Sequence, residues 1–397
     1  MKVIRSLGLA ALISVCSFSA YAKDGGHFDN TLTKDWNGYR EKLFNHGVNL
    51  KLSYKLDAFN NIDGGITSGE AILDRVVTNL VFDGEKILNI KGLTANVTYF
   101  NNSGGYPDTY VGSAQGTDAM EVKKNKSRFY EAWIQQNFLD NKVSALVGLL
   151  DINNEFFHAD STGMFIHQID GIGIGSKSTF DLGGYSNTTL RIRVSPTKEY
   201  YIQAALADHA VNHPDFPTNH YLKVAEVGYT PTFNSLPQKF AIGYWGYEDN
   251  NKEFTSAKKQ RNQGGYLVLE NRLYECQDKN QSLTSFVRIN MSSPSVSRFD
   301  KTFNIGLVYK GLIPNRSESK LGFGVTSSHQ GKSYLKEKNV GANHYSTTET
   351  VYELSYSDDL LPWLTVQPDL QYVVNPVGLA NIKDDATVIG VRFIARI

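Results

Sequence analysis

Three groups of residues in this 397-residue chain have the types and spacing to do chemistry. His209 and His213 stand four apart, with Asp208 and His220 close by, a donor set of the kind zinc takes. Pro214 argues against the helix that would bring the two imidazoles onto one face, so they read as solvated loop histidines. No metal and no cofactor is expected. Glu270 and Glu353 offer a carboxylate pair for acting on polysaccharide, but retaining chemistry needs about 5 Å between them and no spacing fixes it. No phosphate-cradling glycine loop opens a helix, and no nucleophile elbow is centred on a serine.

The third group is distributed along the chain. It comprises Glu131, Trp133 and Gln135; Arg191 and Arg193; Glu226; Tyr266, Glu270 and Arg272; Phe286 and Arg288; Glu353; Gln367, Asp369 and Gln371; and Arg392 and Arg396. Acidic and basic members nearly balance. Guanidinium forks and carboxylates hydrogen-bond hydroxyls, and Trp or Tyr faces stack on the C–H face of a sugar. A surface of one sign would select ions, whereas this mixture suits a neutral polyhydroxylated solute; the alternative reading is another small solute, an anion or an organic acid. The bland alternative is that the charges only pair with one another.

What holds these residues on one surface is a period of two. After a predicted helix at Asp35–Asn45 (Trp36, Tyr39, Leu43 and Phe44 on one face, Gly47 as the stop), Val48, Leu50, Leu52, Tyr54, Leu56 and Ala58 alternate with Asn49, Lys51, Ser53, Lys55 and Asp57. Comparable runs fall at 48–58, 72–82, 93–101, 127–138, 142–150, 188–195, 200–207, 223–230, 239–247, 264–273, 283–290, 302–310, 320–328, 349–357, 363–374 and 387–397, sixteen in all. The third group occupies the polar parity: Ile389, Val391, Phe393 and Ala395 alternate with Gly390, Arg392, Ile394 and Arg396. Pro368 interrupts one run and predicts a bulge or a widely spaced ladder site.

The connections alternate too. Leu139–Asn141, Pro196–Glu199, Pro231–Gln238, Cys276–Ser282, Gly311–Ser319 and Asp358–Pro362 are short; Asn102–Lys126, Asp151–Thr189, Asp208–Leu222, Glu248–Gln263, Gln330–Thr348 and Asn375–Ala386 are longer. Tight turns at one end of every hairpin and long loops at the other belong to an outer-membrane barrel, which hydrocarbon forces to close because it offers backbone groups no partner. Its apolar parity faces lipid, and sixteen strands leave a watery bore. Tyr99, Phe100, Phe138, Tyr200, Tyr201, Tyr229, Tyr309 and Tyr356 at run ends suit interfacial girdles. The longest gap, with Asp151, Asn153, Phe156 and Phe165 and many glycines, is expected to fold into the bore and narrow it.

Composition is consistent with this. Lys+Arg 40 against Asp+Glu 40 gives no net charge, which disfavours a nucleic-acid partner. Mean hydropathy is −0.32, and no apolar run past the N-terminus reaches the roughly 18 residues of a spanning helix. Met1–Ala22 reads as a secretory signal, with Lys2 and Arg5, an apolar Leu7–Phe18 and the small-x-small site Ala20-Tyr21-Ala22. Cys16 lies inside it, which leaves Cys276 as a single thiol and no disulfide. The domain expectation is a signal at 1–22, a periplasmic segment with the short helix at 23–46 and a barrel at 47–397.

Taken in order, Trp36-Asn37-Gly38-Tyr39-Arg40, Arg128-Phe129-Tyr130-Glu131-Ala132-Trp133, Val147-Gly148-Leu149-Leu150-Asp151-Ile152-Asn153 with Phe156, and Trp363-Leu364-Thr365-Val366-Gln367-Pro368-Asp369-Leu370-Gln371-Tyr372-Val373 followed by Asn375-Pro376 resemble the carbohydrate-selective, OprB-like porins of Gram-negative outer membranes. The resemblance covers nearly all of the chain after the signal. It implies an all-β, sixteen-stranded transmembrane barrel and passive diffusion of glucose and other small sugars. It further implies an infolded loop with arginine and acidic groups near the constriction. The partners expected are small sugars and outer-membrane lipid. Whether barrels pair into oligomers, and whether the first helix caps the periplasmic mouth or enters the bore, stay open at this stage.

Overall fold

Alternation is what the backbone obeys. In a computed structural model that describes residues 27–167, 186–208, 221–276, 280–382 and 384–397, the strands run β1 (Val48–Asp63), β2 (Gly69–Asp83), β3 (Leu93–Gly104), β4 (Lys126–Phe138), β5 (Val143–Leu150), β6 (Asn187–Val194), β7 (Tyr200–Asp208) and β8 (Tyr221–Tyr229). After the two-residue β9 (Thr232–Phe233) come β10 (Leu236–Lys252), β11 (Lys259–Glu275), β12 (Ser282–Ser292), β13 (Phe299–Lys310), β14 (Lys320–Gln330), β15 (Thr348–Leu361), β16 (Leu364–Val374) and β17 (Ala386–Arg396). Each pairs antiparallel with its neighbours, and β17 returns to β1 with Asp57 opposite Arg392. With β9 confined to a turn, where it pairs only with the start of β10, sixteen strands form the closed wall.

Side chains sort by parity as membrane burial requires. Ile192 on β6 is 49 % exposed while its neighbour Arg191 is 3 %, and on β17 Phe393 is 37 % exposed against 7 % for Arg392. A soluble barrel would reverse this, since hydrophobic burial drives apolar side chains away from water. Among the described residues no helix is long and apolar enough to cross a membrane; the chain crosses with strands. Tyr200 stacks on Tyr229 at 4.5 Å, and Tyr229 lies 6.2 Å from Phe240, at the rim where the turns lie. Phe100 and Tyr201, expected in such girdles, instead point into the barrel: Tyr201 is buried, and Phe100 stacks on Tyr130 at 4.1 Å.

Two further expectations are corrected. The helix is shorter, Tyr39–Asn45, because Lys34, Trp36 and Asn37 take positive φ and turn the chain before it. The connections at the loop rim are not uniformly long: β10 and β11 each extend to 17 residues, so their loop shrinks to 253–258, and 64–68 and 293–298 are equally tight. At Pro368 no bulge forms: it stays in register opposite Val391 on β17, and the pairing to β15 is interrupted between Ser355↔Asp369 and Asp358↔Val366 without a shift, in keeping with a residue that has no N–H to give the ladder. The first helix caps the turn rim. Arg40, buried, donates to the carbonyls of Leu50 (3.1 Å) and Ile397 (3.3 Å) while its guanidinium lies over Phe28 and Trp36, and the Leu32 N–H donates to Arg396 O at 2.8 Å. Met1–Ala22, His209, His213, Pro214 and His220 lie outside the described residues.

Candidate functional site: the barrel interior

Residues 151–167, the described part of the longest loop, run inside the barrel. Asp151 caps a short 3-10 turn, accepting from the Asn153 backbone N–H (3.0 Å) and side-chain amide (2.9 Å) and from the Tyr130 hydroxyl. The register of β3 and β4 jumps from Thr98↔Glu131 to Tyr99↔Phe129, so the bulge at Tyr130 lets two consecutive wall residues reach the loop: Tyr130 to Asp151, and Glu131 to the Asn154 amide at 2.8 Å. Beyond the turn Phe156, Phe157 and Phe165 are buried against Tyr266 and Phe286, and Phe165 meets Phe286 edge-on at 5.7 Å.

The wall carboxylates receive this segment's backbone. Glu226 accepts the Phe157 N–H (3.2 Å); Glu270 accepts those of Asp160 (3.1 Å) and Ser161 (2.7 Å); Glu353 accepts those of Ile166 (2.6 Å) and His167 (3.2 Å). A loop buried without secondary structure must satisfy its N–H groups somehow, and carboxyl oxygens are strong acceptors for a wall to offer. Donors serve the carbonyls in the same way: Gln203 to Glu155 O (2.7 Å), Arg288 to Phe157 O (2.9 Å), Lys239 to His158 O (2.7 Å) and Gln367 to Met164 O (2.7 Å).

Glu226 is the most heavily used. Tyr201 and Tyr266 each donate a hydroxyl to it at 2.8 Å and Gln203 its amide at 3.0 Å. Two glycines make this geometry. Gly228 lies opposite Tyr201 and Gly243 opposite Tyr266, and a Cβ on either would stand 2.0 Å from the tyrosine Cζ. Without side chains there, each ring lies flat across the neighbouring strand and delivers its hydroxyl to the same carboxylate.

A second loop, 105–125, also enters the barrel. Glu349 accepts from Ser113 Oγ (2.7 Å), the N–H groups of Ala114 (2.9 Å) and Gln115 (3.0 Å), and the Val377 N–H (2.8 Å) from the connection after β16. The two infolded loops meet where the Ala119 N–H donates to Ile166 O at 3.0 Å. Arg392 forks onto Asp57 (Nε 2.8 Å, Nη2 2.6 Å) and reaches Asp118 of the second loop at 3.2 Å. Burial, with Asp57 alongside, pushes the Asp118 carboxyl well above the usual range, and Arg392 opposes that shift.

The remaining candidates divide between held and open positions. Arg191 is buried, bonded to Ser144 Oγ (2.5 Å) and Gln135 (2.6 Å) and ion-paired with Glu155 (3.2 Å); Arg193 lies 3.9 Å over the Tyr201 ring. Trp133 donates to Glu131 at 3.4 Å, and Asp369 accepts from Gln371 at 2.9 Å. Arg272, bonded to Thr284 and Glu275, opens onto a cavity of about 740 Å³ between the infolded loop and the turn rim. Lys239, Glu270, Lys310, Lys320, Asp359 and Arg396 share that cavity, so its lining is polar and of mixed sign. Asp57, Lys55, Arg75, Asp118 and Glu349 were not singled out from the sequence. Lys55 and Asp57 did lie on the polar parity of the first run, whereas nothing periodic marks the second loop except its length.

A closed sixteen-stranded barrel that is apolar outside, charged inside and filled from one rim by its own loops is an outer-membrane porin. The profile of the carbohydrate-selective porins, OprB family, matches residues 69–395, and the chain belongs to that family. It is a sugar-selective porin of the Gram-negative outer membrane. It is 22 % identical over 411 residues to Porin B of Pseudomonas aeruginosa, covering 90 % of this chain and 89 % of that one. It is likewise 22 % identical over 437 residues to the putative porin QuiX of Acinetobacter baylyi, covering 98 % of each. Among solved structures the high-pH form of Pseudomonas putida OprB superposes with a TM-score of 0.80 at 20 % identity (93 % of this chain, 98 % of that one), and the low-pH form with 0.64 at 19 % (96 % and 100 %). Fold and family describe a channel rather than an enzyme.

Proposed function

We propose that small sugars such as glucose cross this barrel by passive diffusion, through a bore narrowed by the segments 105–125 and 151–167, into the mixed-charge cavity at the periplasmic end. The supporting observation is the anchoring of the infolded loop: wall carboxylates are committed to its backbone N–H groups, so the loop is held as part of the wall. On this reading Glu226, Glu270, Glu353 and Arg288 are positioning residues for the constriction. Arg272 and Arg396, on the cavity, are the groups that meet hydroxyls. Such contacts are weak enough for release, as conduction requires. The segment at 23–46 acts as a periplasmic cap on the barrel, after removal of 1–22 as a secretory signal. Planar bilayers test the substrate: purified protein forms pores whose current glucose or an oligosaccharide reduces, and stable pores indifferent to every sugar tried would overturn it.

A further inference from the structure

One stretch of the lipid-facing wall is hollow. Across β6, β7, β8 and β10 the register sets Ile192, Ala204, Ala225 and Tyr244 side by side on the outward parity. The row toward the turn rim, Val194, Ile202, Val227 and Ile242, is bulky throughout; the row toward the loop rim is Leu190, Leu206, Lys223 and Gly246. Two methyl groups between an isoleucine and a tyrosine leave an apolar groove of about 410 Å³, with Leu190, Leu206 and Lys223 along its loop side. The Lys223 side chain is 59 % exposed and its ammonium gives one bond to Glu248 at 3.2 Å. Tyr244 turns its hydroxyl toward the same rim, donating to Gln263 at 2.8 Å. Above Gln263 the exposed Arg261 and Lys259 continue the outward row of β11. Within 247–263 Lys252, Lys258, Lys259 and Arg261 stand against Glu248, Asp249 and Glu253, and Lys223 adds a fifth cation.

We propose that this groove binds one lipid of the outer leaflet, a phosphorylated and multiply acylated glucosamine disaccharide of the lipid A class: an acyl chain lies on Ala204 and Ala225, and a phosphate meets the Lys223 ammonium. A wall of even height offers chains only passing contact, whereas a chain seated between Ile192 and Tyr244 gains close neighbours on several sides. The ammonium has three N–H donors, of which Glu248 takes one, so two are left for phosphate oxygens. Arg261, two strands over from Lys223 and so about 10 Å across the wall, offers a second phosphate its guanidinium fork. The position of the cation chooses the leaflet: Lys223 stands toward the loop rim, while the turn rim of the same wall carries the stacked rings of Tyr200 and Tyr229. The site lies on the outer face and does not depend on which solute the bore passes.

The purified protein in mild detergent is titrated with lipid A, with its dephosphorylated form and with phosphatidylglycerol, and bound lipid is counted by native mass spectrometry. One lipid A molecule is retained per barrel in preference to either of the others. Lys223→Gln lowers its retention by roughly fivefold, and Ala225→Phe, which fills the groove, by roughly tenfold. Leu307→Phe, exposed on the lipid face of β13, leaves it unchanged. Retention unmoved by both groove substitutions, or equal for lipid A and either comparison lipid, overturns the site. So does a second copy of the chain held in place of lipid and released by Ala225→Phe. If Ala225→Phe gives no folded gel band, Lys223→Gln and the dephosphorylated lipid decide. A barrel that holds lipid A in this way yet passes no sugar leaves the site standing and overturns only the transport reading.

Discussion

Replacing Glu226 by glutamine tests whether the wall carboxylates hold the infolded loop. Oε1 accepts from Tyr201 and Gln203, and Oε2 from the Phe157 N–H and Tyr266, so an amide nitrogen in either place faces two donors. The tyrosine of each pair turns its hydroxyl and accepts instead; the partner left over is either the Phe157 N–H, which then has no acceptor, or the Gln203 amide, which keeps only its bond to Glu155 O. One lost charge-assisted bond together with the weakening of the others comes to about 3 kcal/mol. That corresponds to roughly a hundredfold in the equilibrium between loop held and loop released. The wall survives, because its ladders do not involve this side chain. The expected phenotype is therefore specific: unheated protein still migrates as a folded barrel, while single-channel recordings show more frequent excursions to higher conductance and weaker block by sugar. Glu248→Gln, which touches only the exposed Lys223 pair at the loop rim, leaves the traces unchanged and serves as control. Traces of Glu226→Gln indistinguishable from wild type would refute the anchoring.

Gly243→Ala drives a methyl into Tyr266 and is expected to destabilise the barrel by about 1–3 kcal/mol and to reproduce the Glu226 phenotype in conductance. Arg392→Met strands Asp57 and Asp118 as buried, unpaired carboxylates; a loss of about 3–5 kcal/mol appears as a lower temperature for conversion of the folded gel band. Arg40→Ala removes the contacts that pin the N-terminal cap to Leu50 and Ile397, so residues 27–47 become more susceptible to protease in the folded barrel while pore formation persists.

Much of the fold was legible because a membrane strand is a local object: alternation and tight turns can each be read within a dozen residues, and closure follows once lipid is the outer solvent. Strand β10 overran its expected end because its extension past Tyr247, Glu248–Lys252, is polar throughout, so apolar alternation no longer marks it. The site was legible to a lesser depth. Parity groups Glu226, Glu270 and Glu353 on one face, the face that meets residues 157–167, but it could not tell a carboxylate offered to a solute from one committed to the chain itself. That distinction depends on where Phe157, Asp160, Ser161, Ile166 and His167 bring their N–H groups, and a backbone donor carries no residue type. The same limit hid Glu349 and the second loop. A barrel lined by its own loops thus spends acids on folding: Glu226, Glu270, Glu353 and Glu349 all hold backbone N–H groups, a use that only the fold of the loops brings to view.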